Sequence, residues 1–226
     1  MGAAVFRAAF DANVGLGTVP AAHLASTRNA VDGIHVDAKE IFPAMGALIA
    51  SAKREVVFES FEWDPASFSK TGHWKNDPTM QILDGLTRLE SRLREERARG
   101  ETPSVPVKVY FTIDGPARGA ADGNWAVDKV RNLCRQLDGL KLDPSLVEVH
   151  VAVHERKVWG ASHSKLLVVD GYRAMTTGAN PQRFNTLSSS WHDTAFSFRG
   201  EAGVGLRRSF DVTWSESQEI TSIDLS

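Results

Sequence analysis

Two spacings of apolar residues alternate along this chain. Phe42, Met45, Leu48, Ile49 and Ala52 recur three and four apart, as do Ile82, Leu83, Leu86, Leu89 and Leu93. That spacing puts each set on one face of a helix. Trp125, Val130, Leu133, Cys134 and Leu137 predict a third helix, and Leu206, Phe210 and Trp214, four apart, predict a fourth. Short runs of strand character lie between them: Glu55–Phe61, Val107–Ile113, and Val147–Val153, where valines alternate with Glu148, His150 and Ala152. Leu166–Val169 has no polar position and reads as a strand buried behind whatever precedes it. Ile34–Val36 and Ala195–Phe198 predict two more short strands. Strands alternating with helices predict an α/β layered domain, a mixed β-sheet flanked by helices.

Punctuation residues sharpen the boundaries. Val31-Asp32-Gly33 predicts a turn, and Pro43 is placed in the first turn of its helix, where a missing N–H costs little. Asp77-Pro78 caps the second helix, with Glu90 and Arg94 paired on its exposed side and a solvated, charged end that stops at Gly100. Asp170-Gly171 is a turn from which Arg173–Thr177 returns as the paired strand. Residues 1–30 show no period and are read as an irregular lead-in to a single domain over 31–226.

Composition narrows the function classes. A length of 226 residues, 42% hydrophobic, is ample for a core. The net charge of −2 argues against a general nucleic-acid binder. The lone cysteine, Cys134, excludes an intrachain disulfide and reads as a core residue. No apolar run reaches membrane-spanning length, and the N-terminal stretch, interrupted by Arg7 and Asp11, makes a poor signal peptide. The compartment stays open between the cytoplasm and export by a route that reads no N-terminal signal.

The chemistry centres on the predicted hairpin. Residues two apart in a strand face the same way, so His163 and Lys165 are expected to project side by side, and the return strand brings Asn180 towards them. An imidazole, an ammonium and an amide on one wall suit a phosphate: a nucleophile or acid, a point charge and a neutral donor. A neutral imidazole attacks phosphorus at neutral pH without a metal, so His163 is the expected nucleophile, with Lys165 and Asn180 on the non-bridging oxygens. His73, His150, His154 and His192 read as surface or loop residues. No metal or other cofactor is expected, since no residue set has the spacing of a structural zinc site.

The spaced set His163-x-Lys165-x4-Asp170, six residues, a small-residue turn and Asn180 resembles the signature of the phospholipase D superfamily. The departure is Thr177-Gly178, where the family more often has Gly-Ser. The helix, strand and Trp63-Asp64 order near the start is also similar, as is Trp191-His192-Asp193-Thr194 leading into a strand, Gly200 and a last helix ending in Trp214. The resemblance covers roughly residues 31–215. It implies a phospholipase D-like domain and a hydrolase working through a phosphohistidine. It implies that Asp193 fixes the His163 tautomer, that Asp170 pins the turn, and that Glu59 borders the pocket, although an exposed strand carboxylate is an equal reading of Glu59.

The resemblance also exposes a gap. The family normally draws its second acid and base from a second signature, and this chain carries one. The signature falls late, as in the N-terminal half of two-signature members, so a second signature-bearing chain is the expected partner, either a C-terminal half or a homodimer mate. The leading expectation is hydrolysis of phospholipid headgroups at a membrane surface, or phosphatidyl transfer, with Trp159, Phe68 and Trp74 in rim loops. A nuclease using Arg156, Lys157 and Arg183 ranks second, so nucleic acid is no partner in the leading reading. A non-catalytic half that binds phosphate headgroups or a partner ranks third.

Overall fold

The computed structural model describes residues 28–64, 77–101, 105–114, 123–154, 163–182, 185 and 192–220, with backbone alone for 123–127. The strands are β1 (Asn29–Val36), β2 (Glu55–Ser60), β3 (Val107–Asp114), β4 (Val147–His154), β5 (Leu166–Val169), β6 (Arg173–Thr177), β7 (Thr194–Gly200) and β8 (Gln218–Glu219). Helices α1 (Ala38–Ala50), α2 (Pro78–Ala98), α3 (Gly123–Leu140) and α4 (Glu201–Ser215) connect them. The eight strands form one sheet in the order β1-β7-β6-β5-β2-β3-β4-β8. Strands β2, β3 and β4 are parallel, and the remaining neighbours are antiparallel. This is the mixed, helix-flanked sheet that the alternating periods predict.

The unbroken apolar run of β5 has a direct cause. Leu167 and Val169 join Val56, Phe58 and Phe111 in a core with α1, α2 and α3. Leu166 and Val168 face the other way and pack with Val57, Ala174 and Phe210 under α4. Both faces of the central strands are covered, so neither set can be polar.

Two boundaries and one side chain differ from expectation. Strand β1 begins at Asn29, inside the predicted lead-in, because a register irregularity between Val31 and Gly33 lets it run through Asp32-Gly33 instead of turning there. Helix α1 begins at Ala38, so Pro43 lies in its interior and not in its first turn. The early start is held by Glu40, whose carboxylate accepts the Val36 N–H at 2.8 Å, and by burial of Ile41 and Phe42. Glu90 bonds Arg94 at 2.8 Å but is buried, because it also accepts the Asp143 N–H at 2.7 Å. Burial pushes the Cys134 thiol up to about 11, which suits a packing role.

Candidate active site

Strand β5 runs antiparallel to β2, with Leu166 opposite Glu59. The residues before β5 therefore meet the carboxyl ends of the parallel strands, where open α/β sheets place their ligands. His163 and Lys165 lie just ahead of the strand, and they are not equivalent: His163 is exposed and Lys165 is buried. The strand pattern starts only at Leu166, so period-two alternation does not carry back to them. Both nonetheless meet Phe61, the His163 ring at 5.2 Å between centroids and the Lys165 Nζ at 5.6 Å from the ring. Lys165 Nζ also donates to the His163 carbonyl at 2.9 Å.

One cavity of ≈ 320 Å³ is lined by His163, Gly178, Asn180, Gln182, Asn185, His192 and Asp193. Asn180 is fixed by its oxygen, which accepts the Glu62 N–H at 3.2 Å and the Ser60 hydroxyl at 3.3 Å. An N–H donor on that side assigns the amide orientation and leaves Nδ2 as the donor for a ligand. Asn185 Nδ2 donates to the Asn180 carbonyl at 2.9 Å and holds the loop. Thr177, at the departure from the family turn, donates its hydroxyl to Thr194 O at 3.2 Å and accepts the Ala179 N–H at 3.0 Å. It ties the signature turn to the strand that follows Asp193. At Gly178 a Cβ would meet Asp193 Oδ1 at 2.4 Å, so any larger residue would displace that carboxylate.

Asp193 shares the cavity with His163, but among the described residues no hydrogen bond joins them. Burial raises the Asp193 carboxyl, Lys165 lowers it and Asp37 raises it, with a net shift upward. The Lys165 ammonium is lowered by burial, against the pull of Asp193, Glu62 and Asp114. Sequence reasoning missed the layer beneath. Lys129 from α3 is buried 3.1 Å from Glu62 and donates to the Phe61 carbonyl at 2.9 Å. Burial raises the Glu62 carboxyl and lowers the Lys129 ammonium, and each partner offsets the other.

The remaining expected residues separate. Asp170 lies at the opposite end of β5 from His163 and does not line the cavity. Its Oδ1 accepts the N–H groups of Lys53 at 2.9 Å and Arg54 at 2.8 Å, and Oδ2 accepts from Arg173 at 2.7 Å. Glu59 is buried and not exposed, because β2 sits mid-sheet with both faces covered, and it is not among the described lining residues. Trp159, Phe68, Trp74, Arg156, Lys157 and Arg183 lie outside the described residues. Of the histidines expected at the surface or in loops, His154 is instead buried at the end of β4 with Nδ1 unpaired, while His192 is exposed as expected and also lines the cavity. Among the described residues no cluster of His, Cys, Asp and Glu could hold a metal, and no helix is long and apolar enough to cross a membrane.

No protein-family profile matches this sequence, and no curated protein matches it. Solved structures do. Nuc from Salmonella typhimurium, described as a phospholipase D family member, aligns with a TM-score of 0.51 and 14% identity over 86% of this chain and 99% of that one. NucT from Helicobacter pylori aligns with a TM-score of 0.50 and 10% identity over 85% of this chain and 99% of that one. A phosphatidylserine synthase from Haemophilus influenzae Rd KW20 aligns at 0.45 and 17% over 81% of this chain and 36% of that one.

Proposed function

We propose that this chain, which has the phospholipase D superfamily fold, is a phosphodiesterase that forms a phosphohistidine on His163 and acts on phospholipid headgroups. The observation that carries the reading is one cavity lined by His163, Asn180 and Asp193, with the buried Lys165 ammonium acting on Asp193 in its wall. His163 attacks phosphorus, the Asn180 amide donates to a non-bridging oxygen, and Lys165 supplies positive charge to the site as charge builds. A second proton-transferring group completes the cycle. The resemblance looks for it on a second signature-bearing chain, either a second copy or a C-terminal half.

Charge favours a headgroup over nucleic acid. Among the described residues, Asp37, Asp193, Glu62, Asp64 and Asp114 all act on the two buried lysines or on Asp193, and they outnumber those lysines. A polyanion would have to approach that acidic surround in a chain of net charge −2. A zwitterionic headgroup brings its own cation.

Headgroup release from mixed phosphatidylcholine and phosphatidylethanolamine vesicles in EDTA tests the reading, with the native mass of the particle recorded. Wild type should release headgroup, and His163→Ala should lose about 10⁴-fold or more, as removal of a nucleophile does. His163 is exposed, so the variant should keep its melting temperature. Release that survives His163→Ala would sink the proposal. Release absent from lipid but present, and His163-dependent, on DNA would move the substrate to nucleic acid.

A further inference from the structure

A proton must reach the leaving alcohol and another must leave water, and the described residues put a group for both inside the cavity. His192 lines it together with His163. His192 Nδ1 lies 3.1 Å from Asp37 Oδ1. A carboxylate only accepts, so Nδ1 carries the proton of that contact and Nε2 is left for substrate. Asp37 is itself held, donating its N–H to the Asp193 carbonyl at 2.9 Å. Its φ of 62° is a left-handed value that is costly for a residue with a side chain and is kept where surrounding contacts enforce it. The strained residue thus grips both members of the His192-Asp193 pair. The His192 side chain is 83% exposed, which lets it exchange protons with water and leaves it no packing role.

We infer that His192, oriented by Asp37, is a catalytic acid and base of this site, an inference that rests on the phosphodiesterase reading. In the first step the neutral His163 ring nitrogen bonds to phosphorus as the bond to the leaving oxygen breaks. That oxygen takes the proton from Nε2 of the His192 imidazolium. In the second step neutral His192 takes a proton from water as the water oxygen attacks phosphorus. The phosphorus–nitrogen bond breaks, its electron pair returns to His163, and His192 ends protonated as it began.

Two lipids with one phosphatidyl group and different leaving groups test this. Choline leaves as an alkoxide that needs a proton, whereas p-nitrophenolate leaves without one. With phosphatidylcholine, His192→Ala should lose about 10²-fold or more from the first turnover, the lower range of general acid catalysis. With phosphatidyl-p-nitrophenol, the variant should release a first equivalent at near wild-type rate and then slow, because water is no longer activated. Phosphatidylated His163 should then accumulate and be visible by mass. Asp37→Ala should show the same pattern more weakly, and Asp37→Asn, which keeps an acceptor, should recover part of it.

Wild-type rates for His192→Ala on both lipids overturn the inference and give the proton transfer to a partner chain. An equal first-turnover loss on both lipids also overturns it, since a distorted site would not distinguish leaving groups. A wild type that releases neither product, or a His163→Ala variant that releases both, overturns the phosphodiesterase reading and this inference with it.

Discussion

Strand β5 is four residues long, and its two ends follow opposite rules. At the Asp170 end burial alone would raise the carboxyl. The N–H groups of Lys53 and Arg54, the Arg173 guanidinium and the Glu55 N–H together hold it below the usual carboxylate range. At the Lys165 end burial prevails: Lys165 and Lys129 are lowered, and Asp193 and Glu62 are raised. One end satisfies its charge and fastens the hairpin to the start of β2. The other keeps charges incompletely compensated, the condition in which they can respond to charge developing on a ligand. A spaced motif read as one unit therefore splits into an anchor and a site.

Substitutions at the two ends should separate stability from activity in opposite directions. Beyond removal of the nucleophile itself, the largest effect is expected at Lys165. Lys165→Met removes the buried ammonium and keeps most of the side-chain volume. It should lower kcat by about 10²–10³, the cost of losing one charge-stabilising donor. Stability should hold or rise, because burial already disfavours that charge. Steady-state kinetics beside urea unfolding would check both. A loss of stability without a loss of kcat would make Lys165 another anchor and end the contrast.

How much of this was legible follows from distance along the chain. The helices, the strands apart from β8, the Asp77 cap and the Asp170 turn depend on neighbours or on fixed short spacings, and the sequence shows them, whereas the two-residue β8 carries no such signal. His163 and Asn180 were legible because one hairpin brings them together. The irregularity in β1 was not, since it depends on pairing with β7, more than 160 residues away. The same holds for Lys129, which meets Glu62 only after α3 packs on the sheet, and for His192, whose partner Asp37 lies 155 residues earlier. Period counting reports which face a residue takes, not which distant side chain waits there. For Glu59 it is the exposed alternative that fails: the strand is legible in the sequence, but its place mid-sheet, which buries the carboxylate, is not.

The next effect belongs to the anchor. Asp170→Ala leaves the Lys53 and Arg54 N–H groups and the Arg173 guanidinium without their acceptor. Breaking such a buried, charge-assisted set should cost about 3 kcal/mol. Activity per folded molecule should remain within about threefold of wild type, because Asp170 is absent from the cavity lining. Urea titration with active-site counting measures both, and a kcat loss comparable to that of Lys165→Met would return Asp170 to the catalytic set.

The smallest effect gives the contrast its sign. Asp170 has a depressed carboxyl, so its stabilisation is complete above the ordinary carboxylate value and is lost as pH falls through the depressed one. Asp193 is raised: the folded state holds its proton more tightly than the unfolded chain does. Its contribution therefore falls as pH rises through the ordinary value towards the raised one, and at neutral pH the ionised group is a net cost. Lys165 attracts it, but burial and Asp37 outweigh that attraction. Asp193→Asn should accordingly raise stability at pH 7, by at most about 1 kcal/mol, while lowering activity. The gain should shrink to nothing as pH falls below the ordinary carboxylate value, where wild type also carries no charge there. Unfolding curves across that range decide the point. A variant less stable than wild type at pH 7 would place Asp193 with Asp170 among the anchors, and both ends of β5 would then be built for stability alone.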